Sequence, residues 1–213
     1  MKLLSPWALV KTLVLGFFLY FRDTFLNMND LPNSSLPPSP KPQLRLHWRS
    51  LALCFAISFG IAGIGNALTE LGPWYFQLKH PPWKPPDAAF GAIWTTIFCL
   101  CAVSAWLAWH AAPTSGRRAK VVGLYLYNGA LNIFWSFLYF HLHRPDWAMW
   151  EWFLLWLSVL WLVQGLWRES RLASLLVLPY LIWVSAAGVL NHDTIILNGP
   201  FVQALQGFIP AST

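Results

Sequence analysis

Long stretches without an ionisable acid or base alternate along this chain with short charged or proline-rich breaks. Lys, Arg, Asp and Glu are absent from Leu51 to Thr69, Ala88 to Gly116, Val121 to His143 and Leu172 to His192. Trp147 to Trp167 adds a further apolar stretch, interrupted only by Glu151. A helix rises ~1.5 Å per residue, so about 20 apolar residues cross a hydrocarbon core about 30 Å thick. The pattern therefore predicts an all-α membrane protein with five spanning helices. Turn and charge signals at Ser115-Gly116-Arg117-Arg118, Arg144-Pro145-Asp146 and Arg168-Glu169-Ser170-Arg171 leave only short connections, so consecutive helices should run antiparallel.

The first fifty residues follow another pattern. Leu3 to Phe21 is apolar but carries Lys11, and Pro32 to Pro42 is a Ser/Pro stretch that reads as an extended linker. An uncleaved membrane anchor, a signal peptide with an apolar core at Thr12 to Tyr20, and a non-native upstream start compete for the first segment. No A-x-A-like cleavage site follows the apolar core, which favours an extra anchor or interfacial helix. The expected organisation is residues 1–44 as hydrophobic segment plus linker, 45–198 as the five-helix domain and 199–213 as a tail.

Composition agrees with the bilayer as solvent. Of 213 residues 57% are hydrophobic and 10% charged, too few polar side chains to cover a water-soluble globule. Lys and Arg near the span ends are asymmetric. One side collects Lys41, Arg45, Arg49, Arg117, Arg118, Lys120, Arg168 and Arg171, and the other only Lys79, Lys84 and Arg144, which places the start of the first span on the cytoplasmic side. The net charge of +6 reflects these loops and gives no reason to invoke nucleic acid. Cys54, Cys99 and Cys101 sit in apolar runs without metal or disulfide spacing, and His141-x-His143 reads as two amphipathic rings at a span end, so no metal site is expected. The motifs of soluble catalysis, GxGxxG, GxSxG and HExxH, are absent.

Several positions carry candidate chemistry. On the third span Tyr125, Asn128, Asn132, Trp135 and Tyr139 fall at i, +3, +7, +10 and +14, one helical face. An unpartnered amide in hydrocarbon costs several kcal/mol, so this face looks into the bundle, either as interhelical glue or as part of a ligand site. The fifteen tryptophans divide by depth. Trp48, Trp106, Trp109, Trp147, Trp150, Trp152 and Trp167 lie near span ends, where interface anchoring is the expected role. Trp94, Trp135, Trp156, Trp161 and Trp183 lie deeper, where converging indoles suit a planar, hydrophobic, partly polar ligand, although Trp156 or Trp161 should face lipid or fill the core. Glu151 is an intramembrane acid, hence a functional candidate, but its place near the span end favours a side chain that reaches the interface. Ala56, Gly60, Gly63 and Ala67 make small-residue faces fit for close packing or dimerisation. Between the first two spans, Trp74 to Pro86 holds four prolines, four large aromatic rings and two cations in thirteen residues, which predicts a stiff, non-helical lid over the bundle mouth.

The order WYxxLxxPxWxPP from Trp74, then Ile93-Trp94, Gly123-Leu124-Tyr125, Leu131-Asn132-x-x-Trp135, Trp147, Pro179-Tyr180-Leu181-x-Trp183 and Val189-Leu190-Asn191 resembles the TspO/MBR family over about Arg45 to Asn198. The family comprises the translocator proteins, or peripheral benzodiazepine receptors, and the bacterial tryptophan-rich sensory proteins. The resemblance implies a multi-pass bundle, often homodimeric, expected in a bacterial cell membrane and closed by its first loop. It also implies binding of porphyrin, haem, cholesterol-like lipids and benzodiazepine-type drugs, with no required cofactor. By motif the cavity would be lined by Trp94, Asn132, Trp135, Trp147, Trp183, Ala187 and Leu190, with Trp83, Pro85 and Pro86 shaping the lid. Trp94 and Trp183 match the tryptophans associated in bacterial relatives with light-dependent porphyrin breakdown and are the candidate catalytic residues. Ala92 and Ala88 depart from the family pattern at the second helix, and Asn191 to Leu197 lacks the Tyr and the Lys or Arg of the sterol-recognition pattern.

Three functions follow in order of preference. A receptor or regulator would bind tetrapyrroles in homeostasis or stress signalling. An enzyme would modify porphyrin by light through Trp94 and Trp183. A transporter would move tetrapyrroles or lipids, although no inverted repeat or mid-span charge pair supports it.

Overall fold

The computed structural model describes residues 47–201, so the expected N-terminal segment and linker, and the tail beyond residue 201, lie outside the described residues. Within this range the chain forms α1 (Trp48–Ala67), a short α2 (Pro73–Gln77), α3 (Asp87–Ala111), α4 (Ser115–Ser136, continued by a π-helical turn at Phe137–His141), α5 (Pro145–Trp167) and α6 (Arg171–Asn198). Five of these helices are long and apolar enough to span, and no strand occurs among the described residues.

The helix ends follow local chemistry. The Thr114 hydroxyl accepts from the Arg117 amide at 3.3 Å, and the Ser170 hydroxyl accepts from the Ala173 amide at 3.2 Å, each satisfying a donor that a helix start leaves orphaned. Pro145 occupies the first turn of α5, where a missing N–H costs nothing. Capping by Thr114 corrects the predicted turn at Ser115 to Arg118: these residues form the first turn of α4, and the connection is Ala112 to Thr114. Both arginines are occupied there. Arg117 Nε donates to Glu169 Oε1 at 2.7 Å, and Arg118 lies over the Trp109 ring while donating to the Ala112 carbonyl at 3.2 Å. At the other end of the bundle α6 continues beyond His192 to Asn198, because its last turns are gripped by the loop after α1.

The core lies along α5. Leu155, Val159, Leu162, Val163 and Leu166 meet Val177 and Val184 of α6 in a fully buried seam. Hydroxyls stitch the helices by donating to carbonyl oxygens that already close a helix: Ser104 to Ala173 at 2.5 Å, Ser174 to Val163 at 2.6 Å and Ser58 to Phe98 at 2.8 Å. Two tryptophans expected as interface anchors belong instead to this interior. Trp152 is buried and donates to the Val184 carbonyl at 2.7 Å, and buried Trp106 donates to Ser50 Oγ at 3.1 Å. Their indole N–H groups find partners on neighbouring helices, which an interfacial ring does not require. Trp156 likewise fills the α5–α6 seam, donating to Ser185 at 2.9 Å, whereas Trp161 points outward. The small-residue face of α1 packs against none of the described residues at Gly60 or Gly63, where an added Cβ would meet nothing within 4 Å.

Gly188 is where α6 needs a missing side chain, because a Cβ there would overlap the Trp152 indole. The hydrogen bond to Val184 prevents that ring from moving aside. A Cβ at Gly129 would press only on the Ile61 methyl end, which can swing away. Overpacking of a fixed core costs about 1–3 kcal/mol. In thermal unfolding of the detergent-solubilised protein, Gly188→Ala should lower the midpoint by several degrees and Gly129→Ala by clearly less.

Candidate ligand cavity and its lid

The polar face of α4 divides into two parts with different chemistry. Deep in the bundle Tyr125 donates to Ser104 Oγ at 2.7 Å, and Asn128 donates to Ser158 Oγ at 2.8 Å. Ser104 and Ser158 pass the chain on to the Ala173 and Leu155 carbonyls. Their donors are consumed between helices, so this half is interhelical glue. Asn132 then donates to the Tyr180 hydroxyl at 3.2 Å, and the Tyr180 ring meets Trp94 edge-on with centroids 5.9 Å apart.

One turn nearer the lid several polar groups have no such partner. Trp135 Nε1, both carboxylate oxygens of Glu151 and both amide atoms of Asn191 are buried without a partner among the described residues. These groups share a depth. Tyr139, Ala148 and Thr194 lie at one level: Ala148 packs against Tyr139, and the Tyr139 hydroxyl meets the Thr194 side chain. Trp135, Glu151 and Asn191 each lie one helical turn further into the bundle from these three, on α4, α5 and α6. The result is a belt with an indole donor, a carboxyl and an amide, bounded on one side by the stacked Trp135 and Tyr139 rings, 4.9 Å apart. Glu151 also lies within electrostatic reach of Tyr180. The expectation that Glu151 reaches the interface is therefore corrected: its side chain is 4% exposed and turned inward. Asn191 and Tyr180, quoted only as motif residues from sequence, join the site. Their signal was an amide and a phenol inside the otherwise apolar Leu172 to His192 stretch.

The other candidates are spread around this belt. Trp94 stacks on Phe98 with centroids 5.7 Å apart and reaches Asn132 only through Tyr180. Trp183 meets Phe90 edge-on at 5.4 Å, with its Nε1 buried and unpartnered. It lines an open apolar groove of about 480 Å³, formed by Ala92, Ile93 and Thr96 of α3 and by Pro179 and Ile182 of α6. The structure thus puts Trp94 and Trp183 on the same helix pair without bringing them into contact. Ala187 and Leu190 are half-buried on α6. Trp147 stands half exposed at the mouth, clamped under the Arg144 guanidinium at 4.2 Å, while Arg144 also pairs with Asp146.

The lid is more ordered than a proline-rich stretch suggests. Its first part is helical, correcting the non-helical expectation, because Pro73 takes the first position of α2 behind Gly72. Tyr75 is buried, and its hydroxyl donates to Asp87 Oδ1 at 2.9 Å. Burial, with the Asp87 carboxylate adding to it, pushes the phenol above its ordinary range, so it stays a donor. Lys84 Nζ reaches the same oxygen at 2.5 Å and lies over the Tyr75 ring. Burial, then the Lys84 charge, hold His80 below the usual imidazole range, consistent with a neutral ring whose Nδ1 is buried without a partner. Trp74 stacks on His143 at 4.3 Å, and His143 adopts φ 54°, a left-handed conformation uncommon outside glycine. Pro85 is half-buried and Pro86 caps α3 in an extended conformation.

Two clasps hold the lid to α6. The Asn198 amide accepts from the Lys79 backbone N–H at 2.7 Å and donates to the Lys79 carbonyl at 2.8 Å. Trp83 Nε1 donates to Asp193 Oδ2 at 3.1 Å. The C-terminal turns of α6 are therefore a fixed strut for the loop.

Five spans, a tryptophan-rich interior and a loop clasped over their mouth define a multi-pass membrane protein. The model of the TspO/MBR family matches residues 50–197, and the chain belongs to that family. It is 34% identical to Protein CrtK of Rhodobacter capsulatus over 70% of this chain and 93% of that protein. It is 33% identical to the tryptophan-rich protein TspO of Chlorobaculum tepidum, over 70% and 96% of the two chains. With the translocator protein of Bos taurus the identity is 32%, over 56% of this chain and 71% of the other.

A net hydrogen bond contributes about 1 kcal/mol, so losing the two Asn198 bonds should raise the open-lid population roughly ten- to thirty-fold. Hydrogen exchange of the Lys79 amide should accelerate by that factor in Asn198→Ala, with exchange in the α5 core unchanged.

Proposed function

We propose that this protein is a membrane receptor or regulator that takes a porphyrin, haem or related planar hydrophobic molecule into the space beneath the lid. The carrying observation is the belt of Trp135, Glu151 and Asn191, three helices presenting buried polar atoms at similar depth with no partner among the described residues. Buried polar groups normally find partners, and the exceptions concentrate at functional positions. Stacked rings at Trp135 and Tyr139 supply flat apolar walls, and the indole N–H and amide supply directional contacts. Similarity to proteins named tryptophan-rich sensory protein and translocator protein supports a ligand-responsive role. The relatives from Rhodobacter capsulatus and Chlorobaculum tepidum support a bacterial cell membrane as its place. With Arg49, Arg117, Arg118, Lys120 and Arg168 at the end opposite the lid, the positive-inside rule turns the lid away from the cytoplasm.

Tryptophan-fluorescence titration of the solubilised protein with protoporphyrin IX in the dark tests this reading. Saturable quenching is expected. Trp135→Phe, which keeps a ring but removes the N–H, should weaken affinity about five-fold, the equivalent of one hydrogen bond at ~1 kcal/mol. Absence of saturable quenching in folded protein overturns the porphyrin reading. A new product formed under illumination and lost in Trp94→Phe or Trp183→Phe would establish chemistry in place of sensing.

A further inference from the structure

Glu151 poses a problem that the fold leaves unsolved. It sits seven residues into α5, 4% exposed, and neither carboxylate oxygen has a partner among the described residues. An ionised carboxylate without a counter-charge or donors is among the most expensive groups to bury, above all at membrane depth. Among the described helices it serves as no interhelical glue, because it bonds to none of them. Of the described cations at the lid end, Arg144 is engaged with Asp146 and the Trp147 ring, and Lys84 with Asp87 and the Tyr75 ring. No Lys or Arg occurs within the spanning stretch from Leu172 to His192 that faces α5.

Asn191 is the second, independent observation. At 2% exposure it keeps both its amide donor and its carbonyl acceptor unpartnered. The packing of Trp152 against Val184 and Gly188 fixes the register of α5 on α6, which sets Glu151 and Asn191 within about one helical turn of each other in depth. Two buried side chains on adjoining helices thus offer three acceptor atoms and one donor to the same region. Trp135 Nε1 adds a donor from α4.

We propose that Glu151 and Asn191 form an acceptor pair that selects planar aromatic ligands carrying a nitrogen donor or a cationic nitrogen. The inference rests on the reading of the space beneath the lid as a ligand site, but it does not require that the ligand be a porphyrin. An amine gives the buried carboxyl the partner that the described residues withhold, taking its proton to form an ammonium–carboxylate pair, while an aromatic ring of the same size without a nitrogen leaves it unpartnered. A charge-assisted hydrogen bond is roughly twice as strong as a neutral one, so the carboxylate is the discriminating member and Asn191 the adaptable one.

The test compares 1-pyrenemethylamine with 1-methylpyrene, which share a ring system and differ in the nitrogen. Both are titrated by fluorescence into the full chain in nanodiscs at neutral pH. The wild type should bind the amine at least ten-fold more tightly. Glu151→Gln should reduce that preference to less than three-fold without lowering thermal stability, and Glu151→Asp should retain most of it. Equal affinities for the two probes in the wild type, a preference that survives in folded Glu151→Gln, or binding of neither probe overturns the proposal. Amine selectivity that depends on Glu151, in a protein that fails to bind protoporphyrin IX, would sink the porphyrin reading and leave this one standing.

Discussion

Hydrocarbon offers no hydrogen bonds, and this one constraint organises the molecule. Every polar atom carried into the bilayer must find a partner inside the protein or remain at a cost of several kcal/mol. Most do find one. The serines donate to carbonyls of adjoining helices, Trp152 and Trp156 anchor α5 to α6 through their indoles, and Tyr125 and Asn128 extend two-step chains across the core. Against that background the unpartnered atoms of Trp135, Glu151 and Asn191 mark where the protein keeps its bonding capacity in reserve. The same rule that explains the packing therefore singles out the proposed site.

The lid meets a different physical demand. Proline and glycine fix its path, but its position over the bundle depends on polar clasps outside the hydrocarbon, chiefly Asn198 around the Lys79 peptide and Asp193 on Trp83. These contacts explain why α6 is the longest helix, at 28 residues. The stretch that lacks the sterol-recognition pattern serves in this chain as the strut to which the loop is tied. At the same end, the π-helical turn Phe137–His141 re-aims α4 so that Tyr139 faces Ala148 and Phe140 faces Tyr75.

Five spans were legible because charge avoidance in lipid is a composition signal that needs no tertiary information. The polar face of α4 was legible for the same reason, since helical period alone places its residues together. Helix ends were less so: Thr114 capping moved the start of α4 into a charged turn, and the pairing of Arg117 with Glu169 depends on a residue 52 positions away. Depth along a span does not reveal orientation around it, which is why Trp106 and Trp152 looked interfacial and Glu151 looked able to reach water. Burial of all three comes from neighbours contributed by other helices. Asn191 was visible only as part of a motif, because its significance is the absence of a partner, a property of the folded bundle alone.

The proposed seat of the ligand is the belt under the lid and not the aromatic exterior. Indole N–H resonances of ¹⁵N-tryptophan-labelled protein, assigned by single Trp→Phe variants, test it directly during titration with protoporphyrin IX. The account predicts a saturable shift at Trp135, with Trp150 and Trp161, exposed by 78% and 61%, unmoved. A shift confined to Trp150 and Trp161, with Trp135 unchanged at saturation, would contradict it.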